Sequence, residues 1–174
     1  MKVPKELPIV LIDSREQSPL PIASFPSERA GLATGDYTVA GLENHLTIER
    51  KSVPDLISTL FQKDNRTRFM REVERMLAAR VRVLLIVGDA GPMPPRAIIE
   101  GHHYRSTVQP HTVFASIAAL EAKGLTLRWA DSPAHAALIV ESLAWYSWRE
   151  ALQRVGLTPT KTPPAILESL TNSV

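Results

Sequence analysis

The chain has 174 residues, 44% of them apolar and 22% charged, with no cysteine and a formal net charge of +2. That length suits one domain with a real core and is short for two, and the missing cysteines exclude a disulfide framework or a thiolate metal site. The longest clean apolar run, VLLIV at 83–87, falls far below a membrane span, and MKVPKELPIV has neither the apolar segment nor the cleavage site of a signal peptide.

In chain order, residues 1–8 read as a lead-in and PIVLID (8–13) as a short buried strand ending in an acid. The Ser- and Pro-rich SREQSPLPIASFPS reads as loop. Gly31 to Val39 and His45 to Lys51 then read as two strands of an antiparallel hairpin turning at GLEN, with His45 exposed in the turn. Ser52 stands where an N-cap belongs, with Pro54 in the first turn and Asp55 at the third helical position, so a helix is expected over Val53–Phe61. A second helix is expected over 65–80, where Phe69, Val73, Met76 and Leu77 form an apolar stripe and Arg68, Arg71 and Arg75 share another face. From Lys63 to Arg82 there are seven Lys/Arg against three Asp/Glu, a basic stretch that also reads as a solvated helix face.

VRVLLIVG (81–88) reads as a buried strand, and DAGPMPP as a breaker-rich loop. A helix over 110–123 stops at Gly124, LTLRWA (125–130) is a strand, and a last helix spans 133–150 with Ser132 as its cap. Phe114, Leu143, Trp145 and Trp148 read as core. The expected fold class is α/β, a central mixed sheet flanked by helices on both faces, with a folded domain over 9–150. Residues 151–174, with three prolines in the six from Pro159 to Pro164, are expected to form a flexible tail.

The chemistry concentrates in GDYTVAGLENHLTIERKSVPD, residues 35–55. Side chains alternate along a strand, so Glu49 and Lys51 share a face that Arg50 leaves. Pairing through a turn at Glu43–Asn44 brings Asp36 to the same face. Two carboxylates with open positions suit Mg²⁺ or Mn²⁺, which keep waters and accept phosphate oxygens as further ligands. An adjacent ammonium could orient an attacking water or stabilise developing charge. The same residues also read as an ordinary surface ion pair on a hairpin, which contributes little.

Three ordered signals favour the first reading. Gly35-Asp36, twelve intervening residues, Glu49-Arg50-Lys51, three more, then Asp55 resembles the nuclease signature of the XPF family of structure-specific endonucleases, a branch of the PD-(D/E)XK superfamily. The segment IDSRE, with Asp13, Arg15 and Glu16, is similar to the end of that family's first strand. Arg68-Phe69-Met70-Arg71-Glu72 is similar to its helix motif. The later strands and helices match more loosely to about Trp148.

The resemblance implies a restriction-endonuclease-like fold and a metal-dependent DNA endonuclease acting on branched or single/double-strand junction DNA. It implies Asp36 and Glu49 as ligands of Mg²⁺, for which Mn²⁺ substitutes, and Lys51 as the catalytic lysine. Asp13 would be a further ligand or the holder of a water. Glu16 would assist the metal or fix Arg15. Arg50 would support the site through an ion pair, with Asp55 as one partner, while Asp55 also suits a helix N-terminus by itself. Phosphate contacts fall to Arg68, Arg71 and Arg75, with Arg15, Lys63 and Arg66 as additions. His102, His103, Tyr104 and Arg105 are a loop able to touch substrate.

The family's habit of dimerising implies a homodimer, with the Trp-rich last helix as the place to look. Nothing after Glu150 has the length of the helix-hairpin-helix modules usual in the family, and no helicase segment precedes residue 9. A minimal, stand-alone nuclease domain in a cytoplasmic setting of prokaryotic or phage type is therefore expected, with no membrane partner. A non-catalytic DNA-binding scaffold on the same fold, or another PD-(D/E)XK nuclease with a different substrate, are the alternatives.

Overall fold

The computed structural model describes residues 7–89, 91–101 and 108–159. Six strands form one sheet in the order β2-β1-β3-β4-β5-β6. In chain order these are β1 (Val10–Asp13), β2 (Ser27–Ala30), β3 (Tyr37–Val39), β4 (Leu46–Ser52), β5 (Val81–Val87) and β6 (Thr126–Ala130). The helices are α1 (Val53–Phe61), α2 (Lys63–Met76), α3 (Pro94–Glu100), α4 (Pro110–Ala122) and α5 (Pro133–Arg154). The β1–β3 and β3–β4 pairs are antiparallel, and the β1–β2, β4–β5 and β5–β6 pairs are parallel, so the sheet is mixed.

Strand alternation divides the core in two. Ile48, Val83, Leu85 and Val87 face α5, packing with Val140, Ala144 and Trp148. Leu84 and Ile86 face the other way, against Leu56 and Leu60 of α1, Val73 and Met76 of α2 and Ile117 of α4. β4 and β5 are thus buried on both faces, which explains the nearly continuous apolar run of VRVLLIV. The long loop after β1 is tied down from α5, where the buried Glu141 carboxylate accepts from Ala23 N–H, Ser24 N–H and Ser24 Oγ at 2.6–2.7 Å.

Helix α1 has the expected bounds, and Ser52 Oγ accepts from Asp55 N–H at its start. The first hairpin strand is shorter than expected: only Tyr37–Val39 is strand, because Gly35 turns the chain with φ +75°. Two elements escape the sequence pattern. β2 (SERA) is an exposed edge strand with no apolar alternation, and α3 starts inside the breaker-rich loop, with Pro94 and Pro95 in its first turn, where their missing N–H groups cost nothing. Helix α2 begins two residues earlier than expected and stops at Met76, while α5 runs on to Arg154.

His45 is not exposed: its side chain is 16% accessible and lies 3.6 Å from Glu150 of α5. Trp145 and Trp148 point inward, 2% and 0% exposed, so the tryptophans of α5 mark core and not a surface. Its outer side carries Tyr146, half exposed, beside an apolar groove with Leu138, Ile139 and Leu143. His102, His103, Tyr104 and Arg105, and the tail beyond residue 159, lie outside the described residues. Among the described residues no helix is long and apolar enough to cross a membrane.

Candidate active site

The site forms at the end of the β3–β4 hairpin, on the face covered by α1 and α2. Asp36 N–H donates to Ile48 C=O at 2.8 Å, and Asp36 Oδ2 accepts from Arg50 N–H at 2.8 Å. Those two bonds straddle Glu49 and draw the Asp36 carboxylate to its side. The close approach needs a glycine before the acid: a Cβ on Gly35 would stand 2.5 Å from Thr47 Oγ1 and 2.9 Å from Ile48 O. Position 35 thus combines a left-handed φ with lack of space, two reasons for the Gly in Gly-Asp.

Glu49 is 6% exposed, and Lys51 Nζ donates to its Oε1 at 2.6 Å. The ammonium also lies 5.0 Å over the Phe69 ring of α2, so one side chain of the helix motif is a platform for the lysine. A second residue of that motif, Glu72, stands close enough to Glu49 from α2 for its carboxyl group to raise the Glu49 pKa. No role attached to Glu72 in the sequence reading. The available signal was its spacing: three residues beyond the buried Phe69, it returns to the same side of the helix.

Burial, then the charge of Glu49, pushes the Asp36 carboxyl up to about 7. Burial likewise raises Glu49 to about 7, against the pull of Lys51 and with Glu72 adding to the rise. Lys51 is held above its usual value: burial works against its charge, and Glu49 outweighs it. Three acids crowded around one ammonium leave an excess of negative charge in a poorly hydrated place. Such a site favours a further cation or bound protons.

The other predicted residues divide clearly. Asp13 is 2% exposed and both its oxygens are occupied: Oδ1 accepts from Arg15 N–H and Nε at 2.8 Å, and Oδ2 accepts from Arg15 Nη2 at 3.0 Å and Leu32 N–H at 2.8 Å. The Arg15 hydrogen bonds hold its carboxyl down at about 2. Glu16 meets Arg50, whose Nε and Nη2 reach its two oxygens at 3.2 and 3.3 Å, so the partner of Arg50 is Glu16 and not Asp55. Asp55 accepts from Ser52 Oγ at 2.6 Å and belongs to the α1 cap.

Beside Glu49 opens a polar cleft of about 630 Å³, with Lys51 and Glu72 at one side and Arg68, Arg71 and Arg75 along α2. Arg66 turns instead to Leu60 C=O, and Lys63 is exposed at the start of α2, outside this lining. Arg15 is three-quarters exposed and close enough to Asp36 and Glu72 for their charges to raise its pKa, after the larger effect of Asp13.

The ERCC4 domain matches residues 12–143, most of the chain. The chain belongs to the ERCC4-domain family. The match spans both halves of the hairpin motif and α2, and the family is one of DNA endonucleases. Among solved structures, the chain is similar to XPF from Aeropyrum pernix, with a TM-score of 0.62 and 26% identity over 86% of this chain and 69% of that one. It is also similar to XPF from Aeropyrum pernix in complex with DNA, with a TM-score of 0.60 and 27% identity over 79% of this chain and 63% of that one. Curated protein sequences give no significant match. The XPF resemblance and the restriction-endonuclease-like mixed sheet are therefore established.

Proposed function

We propose that this ERCC4-domain protein is a metal-dependent DNA endonuclease that hydrolyses phosphodiester bonds at branched or single/double-strand junction DNA. The observation that carries the reading is the placing of two carboxylates, the half-buried Asp36 and the buried Glu49, beside Lys51 at the edge of an arginine-lined cleft. A scaffold has no physical use for that set, since burying repelling acids destabilises the fold unless something binds there.

The donor set fits Mg²⁺ or Mn²⁺. Asp36 and Glu49 would hold the ion, leaving its other positions to waters and phosphate oxygens. Bound there, the ion would supply charge stabilisation at the phosphate and a more acidic water. The chain's own residues do the rest. Lys51, held by Glu49 and Phe69, presents a fixed positive charge to the reacting phosphate. Arg68, Arg71 and Arg75 hold the neighbouring phosphates in the cleft. Arg50 and Glu16 brace β4 against the loop after β1, and Asp13 locks that loop to Leu32 instead of ligating.

A homodimer suits the groove beside Tyr146 better than the buried tryptophans, and sedimentation of wild type beside Tyr146→Glu checks that assignment. The function itself is tested with labelled flap, fork, four-way and linear DNA, each with Mg²⁺, with Mn²⁺ and with chelator. Metal-dependent cutting that favours a junction supports the proposal. Binding without cutting under either metal makes the protein a scaffold, and cutting of linear DNA alone makes it a different nuclease of the same superfamily.

A further inference from the structure

A second cavity, of about 380 Å³, lies on the same face of the sheet as the candidate active site. Its floor includes Thr38 of β3 and Thr47 of β4, and its walls are Leu32 and Ala33 on one side and Ala78 and Ala79, just beyond α2, on the other. Arg75 lines both this cavity and the cleft beside Glu49, so the two share a wall. Thr47 and Glu49 are two residues apart on one strand face, about 7 Å along β4. One nucleotide of unstacked backbone spans that distance, since stacked nucleotides already advance about 3.4 Å each.

We infer that this cavity receives a single unstacked nucleotide next to the scissile phosphate. The inference rests on the nuclease reading and gives it a structural source of junction preference. The cavity chemistry suits a base and not a phosphate. Leu32, Ala33, Ala78 and Ala79 give it apolar surface able to lie against a base face, and Glu43 and Asn44, which also line it, add a carboxylate that repels phosphate and an amide. Thr38 Oγ1 donates to Leu46 C=O at 2.6 Å and Thr47 Oγ1 to Thr34 C=O at 3.3 Å, so the hydroxyl protons of this almost fully buried floor are already used and it offers no donor to a phosphate. The cation at the shared wall, Arg75, is placed for the phosphate between the two sites.

The loop that forms one wall is fixed by Asp13, whose Oδ2 accepts from Leu32 N–H. Asp13 is thereby a positioning residue for the cavity. Extracting a base from a duplex costs a few kcal/mol and least where the nucleotide is already unpaired. A cavity that must be filled beside the cut therefore favours junctions over continuous duplex without reading sequence.

The test places 2-aminopurine, in turn, at each position near the cleavage point of a junction substrate. Fluorescence and anisotropy are read with chelator present, and cutting is read with metal. Among the described residues no aromatic side chain lines the cavity to quench the probe. Wild type should brighten several-fold at one position adjacent to the scissile phosphate. The exposed Ala33 and Ala78 allow the cavity to be filled without disturbing the core, as Ala33→Phe and Ala78→Phe. Both variants should lose that brightening and the preference for junction over duplex, while still cutting duplex. Wild type that cuts DNA with no position brightening overturns the cavity assignment and leaves the nuclease reading intact, as does brightening that survives both substitutions. If wild type cuts nothing, the nuclease reading fails and the cavity assignment falls with it.

Discussion

Gly35 holds the site together, and replacing it by alanine gives a consequence that can be worked from the structure. Its φ of +75° is a left-handed conformation, which costs an L-residue about 1–2 kcal/mol. The added Cβ would also stand 2.5 Å from Thr47 Oγ1 and 2.9 Å from Ile48 O, and the second of these is backbone of the central strand, which cannot swing away. Forcing a methyl into such a place costs a further ~1–3 kcal/mol. Gly35→Ala should therefore lose about 2–5 kcal/mol in urea unfolding. Gly101 is the internal control, with φ +68° and, among the described residues, nothing within 4 Å of its Cβ position, so Gly101→Ala should lose only the conformational share, about 1–2 kcal/mol. Equal losses at the two glycines would refute the close approach of Gly35 to β4, and with it the reason given for the Gly-Asp pair.

Three further outcomes follow from the same geometry. Asp36 and Glu49 have raised folded-state pKa values, so the folded metal-free protein binds more protons than the unfolded chain between about pH 4 and 7. Its stability should fall as pH rises through about 7, and the thermal midpoint followed from about pH 5 to 8 should drop more for wild type than for Asp36→Asn. Asp13→Ala leaves Leu32 N–H without its partner and Arg15 with only Leu32 C=O, and should lose about 2 kcal/mol in urea unfolding, while Mn²⁺ affinity by calorimetry stays within a factor of about two. Arg71→Ala should weaken DNA binding and reduce the slope of log affinity against log salt by about one, whereas Arg66→Ala, on a residue turned to Leu60, should leave the slope unchanged.

The parts of the fold that the sequence revealed are those where local chemistry and tertiary packing agree. Helix α1 was legible because Ser52, Pro54 and Asp55 each satisfy its first turn, and β5 because its two buried faces leave a continuous apolar run. β2 was hidden because an exposed edge strand needs no alternation; it exists through its backbone pairing with β1. Helix α3 was hidden behind two prolines that read as breakers but stand where a helix tolerates them. At the site, the convergence of Asp36, Glu49 and Lys51 followed from strand alternation together with the hairpin pairing. The partners of Arg50 and Asp13 did not, since the loops on either side of β2 decide whether Arg15, Glu16 and Leu32 arrive there, and periodicity carries no information about loops. Glu72 comes from a helix packed across the sheet face, so its meeting with Glu49 is a tertiary fact.

The most direct test of the account is single-turnover cleavage of a labelled junction with Mg²⁺, comparing wild type with Asp36→Asn and Lys51→Ala at saturating protein. Circular dichroism and anisotropy first establish that both variants fold and bind the DNA. The account predicts metal-dependent cutting by wild type and a loss of at least about a hundredfold in rate in each variant with binding retained. Wild-type rates in either folded variant would contradict the assignment of the site, and wild type that binds but never cuts would contradict the function.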